Sequence, residues 1–317
     1  MVRPTCFYSN PETLVDNHFM ESPFEAVDWR RKGWTTPHAQ DEFDLLVDKL
    51  RHSGIEVDVH HQQHEDLPDS VFPRDWFSTH RDEHAFPGGL LVTYPMKTPS
   101  REGEKNPTVL SQLAEQYAHR ADIQATDGAV LEGAGTLVFD RAGSEHTVWC
   151  SMSQRADKSK LDEFVNLYNT MKSEHAPDLK VVPFEALDAN QEPIYHTDVM
   201  CSVLRDHVMI CLDAIKPEPF APVYGSDIKS KILSHVGSKT LMPISQEEVS
   251  NFCGNVLMLT NSDNEQVLVM SDQARESYSK KNMAMLKESY KNIVSSDLTT
   301  ISGIGGGSVR CMIAELF

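Results

Sequence analysis

The chain has 317 residues, 40% of them hydrophobic, enough to bury a large core in one or two domains. Its 47 acidic against 29 basic side chains leave a formal charge of -18 with no Lys/Arg block of five or more, which excludes nucleic acid and anionic membrane surfaces as expected partners. The opening Met1-Val-Arg-Pro-Thr-Cys-Phe-Tyr lacks the apolar core of a signal peptide, and no stretch approaches the roughly 20 apolar residues that cross a bilayer, so a cytoplasmic protein is the expectation.

A weak helical period over 39–52 is followed by short β-branched, apolar runs at 90–94, 136–139 and 147–150 that predict strands. The clearest helix is 157–172, where Leu161, Phe164, Val165, Tyr168 and Met171 recur at three- and four-residue steps and Asp157, Lys158, Asp162 and Glu163 stay outside. Strands follow at 199–203 and 208–212 around the turn Arg205-Asp206-His207, then a weaker helix at 226–236. Two more strands, 256–260 and 266–270, flank Asn261-Ser262-Asp263-Asn264-Glu265; a helical pattern over 272–292 and a last strand at 309–313 complete the chain. Strand pairs alternating with helices predict an α/β fold that is not simple βαβ winding. No low-complexity linker and no residue-level repeat divides it, so 1–317 is taken as one domain.

Six cysteines stand singly with no Cys-x-x-Cys pair, and read as reduced thiols. Cys6, Cys150, Cys201, Cys211 and Cys253 need no reading beyond a buried small apolar residue. Cys311 differs, because it follows Ile301-Ser302-Gly303-Ile304-Gly305-Gly306-Gly307-Ser308-Val309-Arg310. Glycines such as Gly305 let backbone approach a ligand, and a strand after them would hold Cys311 at its start; the Gly-Lys-Ser/Thr ending of a phosphate loop is missing. In His196-Thr197-Asp198, the two-residue strand period puts a proton carrier and an anion on one face. Pro68-Asp69-Ser70-Val71-Phe72-Pro73-Arg74-Asp75-Trp76-Phe77 brings aromatic and carboxylate groups suited to a cation, although alone it reads as a packed loop with Arg74 and Asp75 in surface pairs. Glu132 in Val130-Leu131-Glu132-Gly133-Ala134-Gly135 is an acid before a glycine turn. His60, His61 and His64 lack zinc-site spacing and read as solvated loop, so no metal and no cofactor is expected.

Taken in order, these segments resemble the guanidino-group-modifying enzymes, the pentein superfamily of arginine deiminases, dimethylarginine hydrolases and amidinotransferases. Phe72-Pro73-Arg74-Asp75, Leu131-Glu132-Gly133-Ala134, His196-Thr197-Asp198 and Arg310-Cys311-Met312 correspond to the deiminase Phe-Thr-Arg-Asp, Leu-Glu-Gly-Gly, His-x-Asp and Arg-Cys-Met motifs. The resemblance runs from about residue 18 to the end, and the wording at 76–80 and 94–96 is similar to an amidinotransferase-related branch of citrulline-utilising hydrolases. That branch is expected to carry asparagine where this chain has Asp75 and Asp198.

The resemblance implies a five-bladed α/β-propeller, a small-molecule guanidino substrate and a cysteine mechanism. In it Asp75 and Asp198 grip the cation, Cys311 attacks, His196 moves protons and Glu132 orients His196. Asp69, Phe72 and Gly305 are expected to line the substrate pocket, and Arg101 and Arg155 resemble the arginines that hold a substrate α-carboxylate in relatives. Citrulline ureido hydrolysis, amidino transfer to an amine, a silent binding protein and a redox-sensing thiol are the alternatives. The oligomeric state is left open, a homo-oligomer included.

Overall fold

The computed structural model describes residues 1–20, 32–140, 146–216 and 228–317. Its strands are β1 (Val2–Arg3), β2 (His60–His61), β3 (Phe77–His80), β4 (Leu90–Thr93), β5 (His119–Asp122), β6 (Leu137–Asp140) and β7 (Thr147–Ser151). They continue with β8 (Lys180–Phe184), β9 (Cys201–Val203), β10 (His207–Ile210), β11 (Thr240–Pro243), β12 (Leu257–Thr260), β13 (Gln266–Ser271) and β14 (Asn292–Ser296).

Four sheets of three strands share one topology: β3-β4-β5, β6-β7-β8, β9-β10-β11 and β12-β13-β14. In each, the middle strand is antiparallel to the first and parallel to the third. The antiparallel pair needs only a short connection, whereas a parallel neighbour requires a crossover. Helices Pro107–Gln116, Lys158–Met171 and Ile228–Ser234 make three of these crossovers, and Asp272–Ser277 with Lys280–Ser289 makes the fourth. β1 and β2 form a fifth, two-stranded parallel pair. The result is a mixed α/β fold.

The helix Lys158–Met171 shows how the sequence builds a module. Asp157 caps it by accepting from the Ser159 N–H, and its Leu161, Phe164 and Tyr168 are buried with Leu90 and Val92 of β4 and Val148 of β7. Phe164 is fully buried, so its truncation to alanine costs about 3–5 kcal/mol.

Several elements differ from expectation. The run 309–313 is a helical turn, Val309–Met312, rather than a strand: the Met312 N–H bonds back to the Ser308 carbonyl, and with every side chain of the run buried there is no in-and-out alternation of a strand. The run 199–203 splits into a 3-10 turn, Thr197–Val199, and β9. The pattern over 272–292 breaks at Tyr278, and the first helix reaches back to Lys32 through Pro37, which removes one hydrogen bond near its start. The first two positions of the helix expected at 226–236 lie outside the described residues. His60 and His61 are in β2 rather than in loop.

Candidate active site

One structural habit builds the site. Asp75 ends the 3-10 turn Pro73–Asp75 that enters β3, and Glu132 precedes the helical turn Gly133–Thr136 that enters β6. His196 and Asp198 belong to the turn that enters β9, and Asn255 stands just before β12. The approach to the first strand of each sheet thus delivers one or two polar side chains, and Cys311 joins them from the helical turn Val309–Met312.

Cys311 is 3% exposed, and its Sγ accepts a 3.2 Å hydrogen bond from Asn255 Nδ2 and lies 3.9 Å from Asp198 Oδ2. Asn255 is itself pinned: Nδ2 also reaches the Asp198 carbonyl at 3.2 Å, and Oδ1 accepts from the Arg310 N–H at 3.0 Å. Burial raises the thiol well above its ordinary value, Asp198 and Asp75 raise it further, and the Ser308 backbone and Asn255 oppose them.

His196 Nε2 is 2.8 Å from Glu132 Oε2, and its Nδ1 is 3.8 Å from Asp75 Oδ1. Burial alone would raise the Glu132 carboxyl, but Arg155 and the His196 contact hold it well below the carboxylate range, so it is an anion that fixes the imidazole ring. The ring sits against Gly135, where a Cβ would lie 2.4 Å from Asp75 Oδ1 and 2.6 Å from His196 Nδ1. In Glu-Gly-Ala-Gly the structure therefore leaves no room for a side chain at Gly135.

Asp75 Oδ1 and Asp198 Oδ1 are buried without a hydrogen-bond partner among the described residues. The other Asp75 oxygen takes Arg101 Nη2 at 3.1 Å, while Asp198 Oδ2 lies 3.8 Å from Arg74 Nε and 3.9 Å from Arg310 Nε. Burial raises Asp198 to about 6 against the pull of Arg310 and His196. Arg74 and Asp75, expected as surface pairs, are both buried. His196 and Asp198 both reach the site from a 3-10 turn, not from the strand period that suggested them.

Beyond Arg101, Asp69 Oδ2 accepts from Asn10 Nδ2 (2.8 Å) and Thr13 Oγ1 (2.9 Å), and its Oδ1 is buried without a hydrogen-bond partner among the described residues. Arg101 bonds Glu104 (3.0 Å), the Phe72 carbonyl (3.1 Å) and Asp75. Arg155 stacks 4.6 Å over the Tyr195 ring and bonds Asp16 (2.6 Å) and Glu132 (3.4 Å). Gly305 ends the helix Thr299–Gly305, where a Cβ would lie 2.8 Å from the Phe72 ring, so the glycine run is packed against side chains rather than open as a backbone cradle. Among the described residues no cluster of three His, Cys, Asp or Glu side chains is arranged to hold a metal.

A model of the family described as N,N dimethylarginine dimethylhydrolase, eukaryotic, matches residues 3–317. The chain belongs to this family. A search of curated proteins finds no match. Among solved structures the fold is similar to ArgZ, an arginine dihydrolase from the ornithine-ammonia cycle in cyanobacteria, with a TM-score of 0.69 and 18% identity. That alignment covers 98% of this chain but 39% of ArgZ. The N-terminal domain of an ArgZ variant covalently bound to a reaction intermediate aligns with a TM-score of 0.70 and 16% identity over 99% of this chain and 95% of the domain. A dimethylarginine dimethylaminohydrolase adduct with 4-chloro-2-hydroxymethylpyridine aligns at 0.58 and 15% identity, covering 87% and 90%. The dimethylarginine dimethylhydrolase family thus places the chain among guanidino-modifying enzymes of the pentein superfamily.

Around the candidate site residues, sequence reasoning missed Asn255, Asp16, Lys97 and the turn that carries Asn10 and Thr13, which contact Cys311, Arg155, Asp69 or, for Lys97, Asp16. Asn255 lies in an unremarked Cys253-Gly254-Asn255-Val256, and the signal that could have found it is its place before a strand, shared with Asp75 and Asp198. The 10–17 segment, Asn10-Pro-Glu-Thr-Leu-Val-Asp16-Asn17, is a polar-rich stretch upstream of the resemblance, and its partners are distant in sequence.

Proposed function

We propose that the chain is a cysteine-dependent hydrolase acting on the guanidino group of arginine or an arginine-like compound, with Cys311 as nucleophile. The observation that carries this reading is the pair of buried, unpartnered carboxylate oxygens on Asp75 and Asp198, with the Cys311 sulfur 3.9 Å from Asp198 and His196 3.8 Å from Asp75. A guanidinium offers N–H donors and positive charge to both acids.

Burial and the two carboxylates hold the thiol protonated, and the cation offsets the carboxylates, so the thiolate forms best with substrate in place, its proton passing to His196. Its sulfur attacks the central guanidino carbon, and a tetrahedral adduct forms. His196 protonates the departing nitrogen, the C–N bond breaks, and ammonia or an alkylamine leaves a covalent thiouronium on Cys311. His196 then takes a proton from water, the hydroxide adds to the same carbon, and as the C–S bond breaks the hydroxyl proton passes to solvent, leaving a ureido product and the thiolate. Glu132 keeps the imidazole oriented through both proton transfers, and Asn255 holds the sulfur. Asp69, Phe72, Gly305, Arg101 and Arg155 form the pocket beyond the reacting carbon.

The reading includes one propeller domain over 1–317, closed by β1 and β2 as part of the fifth blade, in a cytoplasmic protein that is free to form a homo-oligomer. No described helix is long and apolar enough to cross a membrane. Incubation with arginine, methylated arginines, agmatine and citrulline, with products identified by mass, tests it. Ureido products from guanidino compounds are expected; ornithine from citrulline with guanidino compounds untouched would replace it with the ureido reading, and amidino transfer to an added amine with the transferase reading.

A further inference from the structure

The fold has a second opening behind the reacting groups. A cavity of about 620 Å³ runs along β12 and touches Phe139 and Asp140 at the end of β6 and Val203 at the end of β9. The turns that carry Glu132, Asp198 and Asn255 enter these same strands at their other ends, and none of Cys311, His196, Glu132 or Asp75 lines the cavity. Arg74 and Arg310 do line it, and their Nε atoms lie 3.8 and 3.9 Å from Asp198 Oδ2. The two guanidiniums therefore stand between the cavity and the carboxylate beside Cys311.

Both arginines are 4% exposed, but they are unequally neutralised. Arg74 Nη1 donates to Glu315 Oε2 at 2.8 Å, and Glu315 is itself part of the cavity wall. Arg310 has no carboxylate at hydrogen-bond distance. Its Nη1 goes to Ser202 Oγ at 2.5 Å and to the Val256 and Cys201 carbonyls at 3.3 and 3.5 Å, and its Nε is buried with no hydrogen-bond partner among the described residues. Burial and the Arg74 charge lower the Arg310 guanidinium to about 10 against the pull of Asp198 and Glu315, so it is a cation at neutral pH that is short of negative charge. The other acids of the cavity do not supply it. Asp140 is taken by Lys239 at 2.7 and 2.8 Å, and Glu56 and Asp58 are exposed with Arg205 at the rim. A buried guanidinium in this condition suits a carboxylate or phosphate, and the Glu315 carboxylate on Arg74 is the internal example.

We infer that this cavity is a second binding site, for a small oxyanion, carboxylate or phosphate, held by Arg74 and Arg310 on the side of Asp198 away from Cys311. The site stands independently of the guanidino hydrolase reading; its coupling to substrate rests on that reading. A guanidinium on Asp198 draws the carboxylate charge away from the two arginines, so each ligand tightens the other.

Calorimetric titration of inorganic phosphate and of succinate, at constant ionic strength, tests the site in wild type, Glu315→Gln and Arg310→Gln. Millimolar or tighter binding of one anion to wild type is expected, and the tighter of the two identifies the ligand as phosphate or carboxylate. Glu315→Gln removes the resident carboxylate and should tighten binding about tenfold, whereas Arg310→Gln should weaken it about tenfold or more. Glu315 is only partly buried, so its variant decides the matter even if Arg310→Gln does not fold. Binding of neither anion at millimolar concentration, or equal affinities in wild type and Glu315→Gln, overturns the site. In Cys311→Ala, saturating arginine should tighten the anion about fivefold. Arginine that binds without moving the anion's affinity overturns the coupling; arginine that does not bind, with the Glu315 dependence intact, removes the hydrolase reading and leaves the oxyanion site.

Discussion

Replacing Asp198 by asparagine should move two rates in opposite directions. The side chain is fully buried, and one of its oxygens lies 3.9 Å from Cys311 Sγ. At an effective dielectric of about 20, two unit charges at that separation repel by about 4 kcal/mol. Arg74 at 3.8 Å and Arg310 at 3.9 Å from the same carboxylate cancel part of this, so only a fraction of the repulsion is released when the charge is removed. Since each factor of ten corresponds to about 1.4 kcal/mol, alkylation of Cys311 by iodoacetamide near neutral pH should accelerate at least about tenfold. Guanidino turnover should fall at least about thirtyfold, because truncating one partner of a buried charged hydrogen bond costs roughly 2–5 kcal/mol. The assay is parallel: alkylation followed by peptide mass, and kcat/KM on the best guanidino substrate. Slower alkylation, or unchanged turnover, would show that Asp198 neither sets the thiol nor holds the cation.

Cys311→Ala should abolish turnover while circular dichroism and Tm stay close to wild type, whereas alanine at Cys6 or Cys150 should alter only stability; measurable kcat in a folded Cys311→Ala protein removes the thiol from the reaction. Asn255→Asp keeps an oxygen near the Arg310 N–H but exchanges a donor for an anion beside the sulfur, so the pH at which Cys311 alkylates should move upward; an unchanged profile in a folded variant denies Asn255 its role. Gly135→Ala should lower kcat/KM at least about tenfold, because reacting groups tolerate little misplacement, and an active variant would mean that the loop can move away from Asp75 and His196. Asp198 titrates at about 6 in the fold against an ordinary 3.8, so the folded state holds a proton that the unfolded chain has lost. Its contribution to stability therefore falls as pH rises from about 4 to about 6, while kcat/KM, which needs the ionised cradle, should rise toward about 6; denaturant melts and rate profiles check both signs, and Asp198→Asn should lose both features.

The sequence made the α/β class legible through strand pairs with tight turns, and the short motifs singled out candidate residues that are neighbours in the fold: His196 contacts Glu132 and Asp75, and Cys311 contacts Asp198. It hid the third strand of each sheet. β5 reads His-Arg-Ala-Asp with no apolar run, while β8 and β11 carry Pro183 and Pro243, which a strand tolerates only where an N–H is not needed. Each of these strands lies at a sheet edge, so its residues need not be apolar. The repeat of four like modules was hidden for the same reason, being carried by topology and not by residue identity. Cys311 was placed on a strand because Val-Arg-Cys-Met-Ile alternates well enough for one, yet Arg310 is buried too, bonded to Ser202 at 2.5 Å and held through its N–H by Asn255, which no local pattern reveals. Asp16 was out of reach in the same way, since its partner Arg155 is 139 residues away.

The central claim is a covalent bond between Cys311 and the guanidino carbon. Acid quenching during turnover of a guanidino substrate, followed by digestion and peptide mass analysis, tests it most directly. The account predicts that the peptide containing Cys311 gains the mass of the substrate less its departing amine, and that this species forms and decays at rates that support kcat. Turnover with no such adduct on Cys311, or with the adduct on another residue, would contradict it.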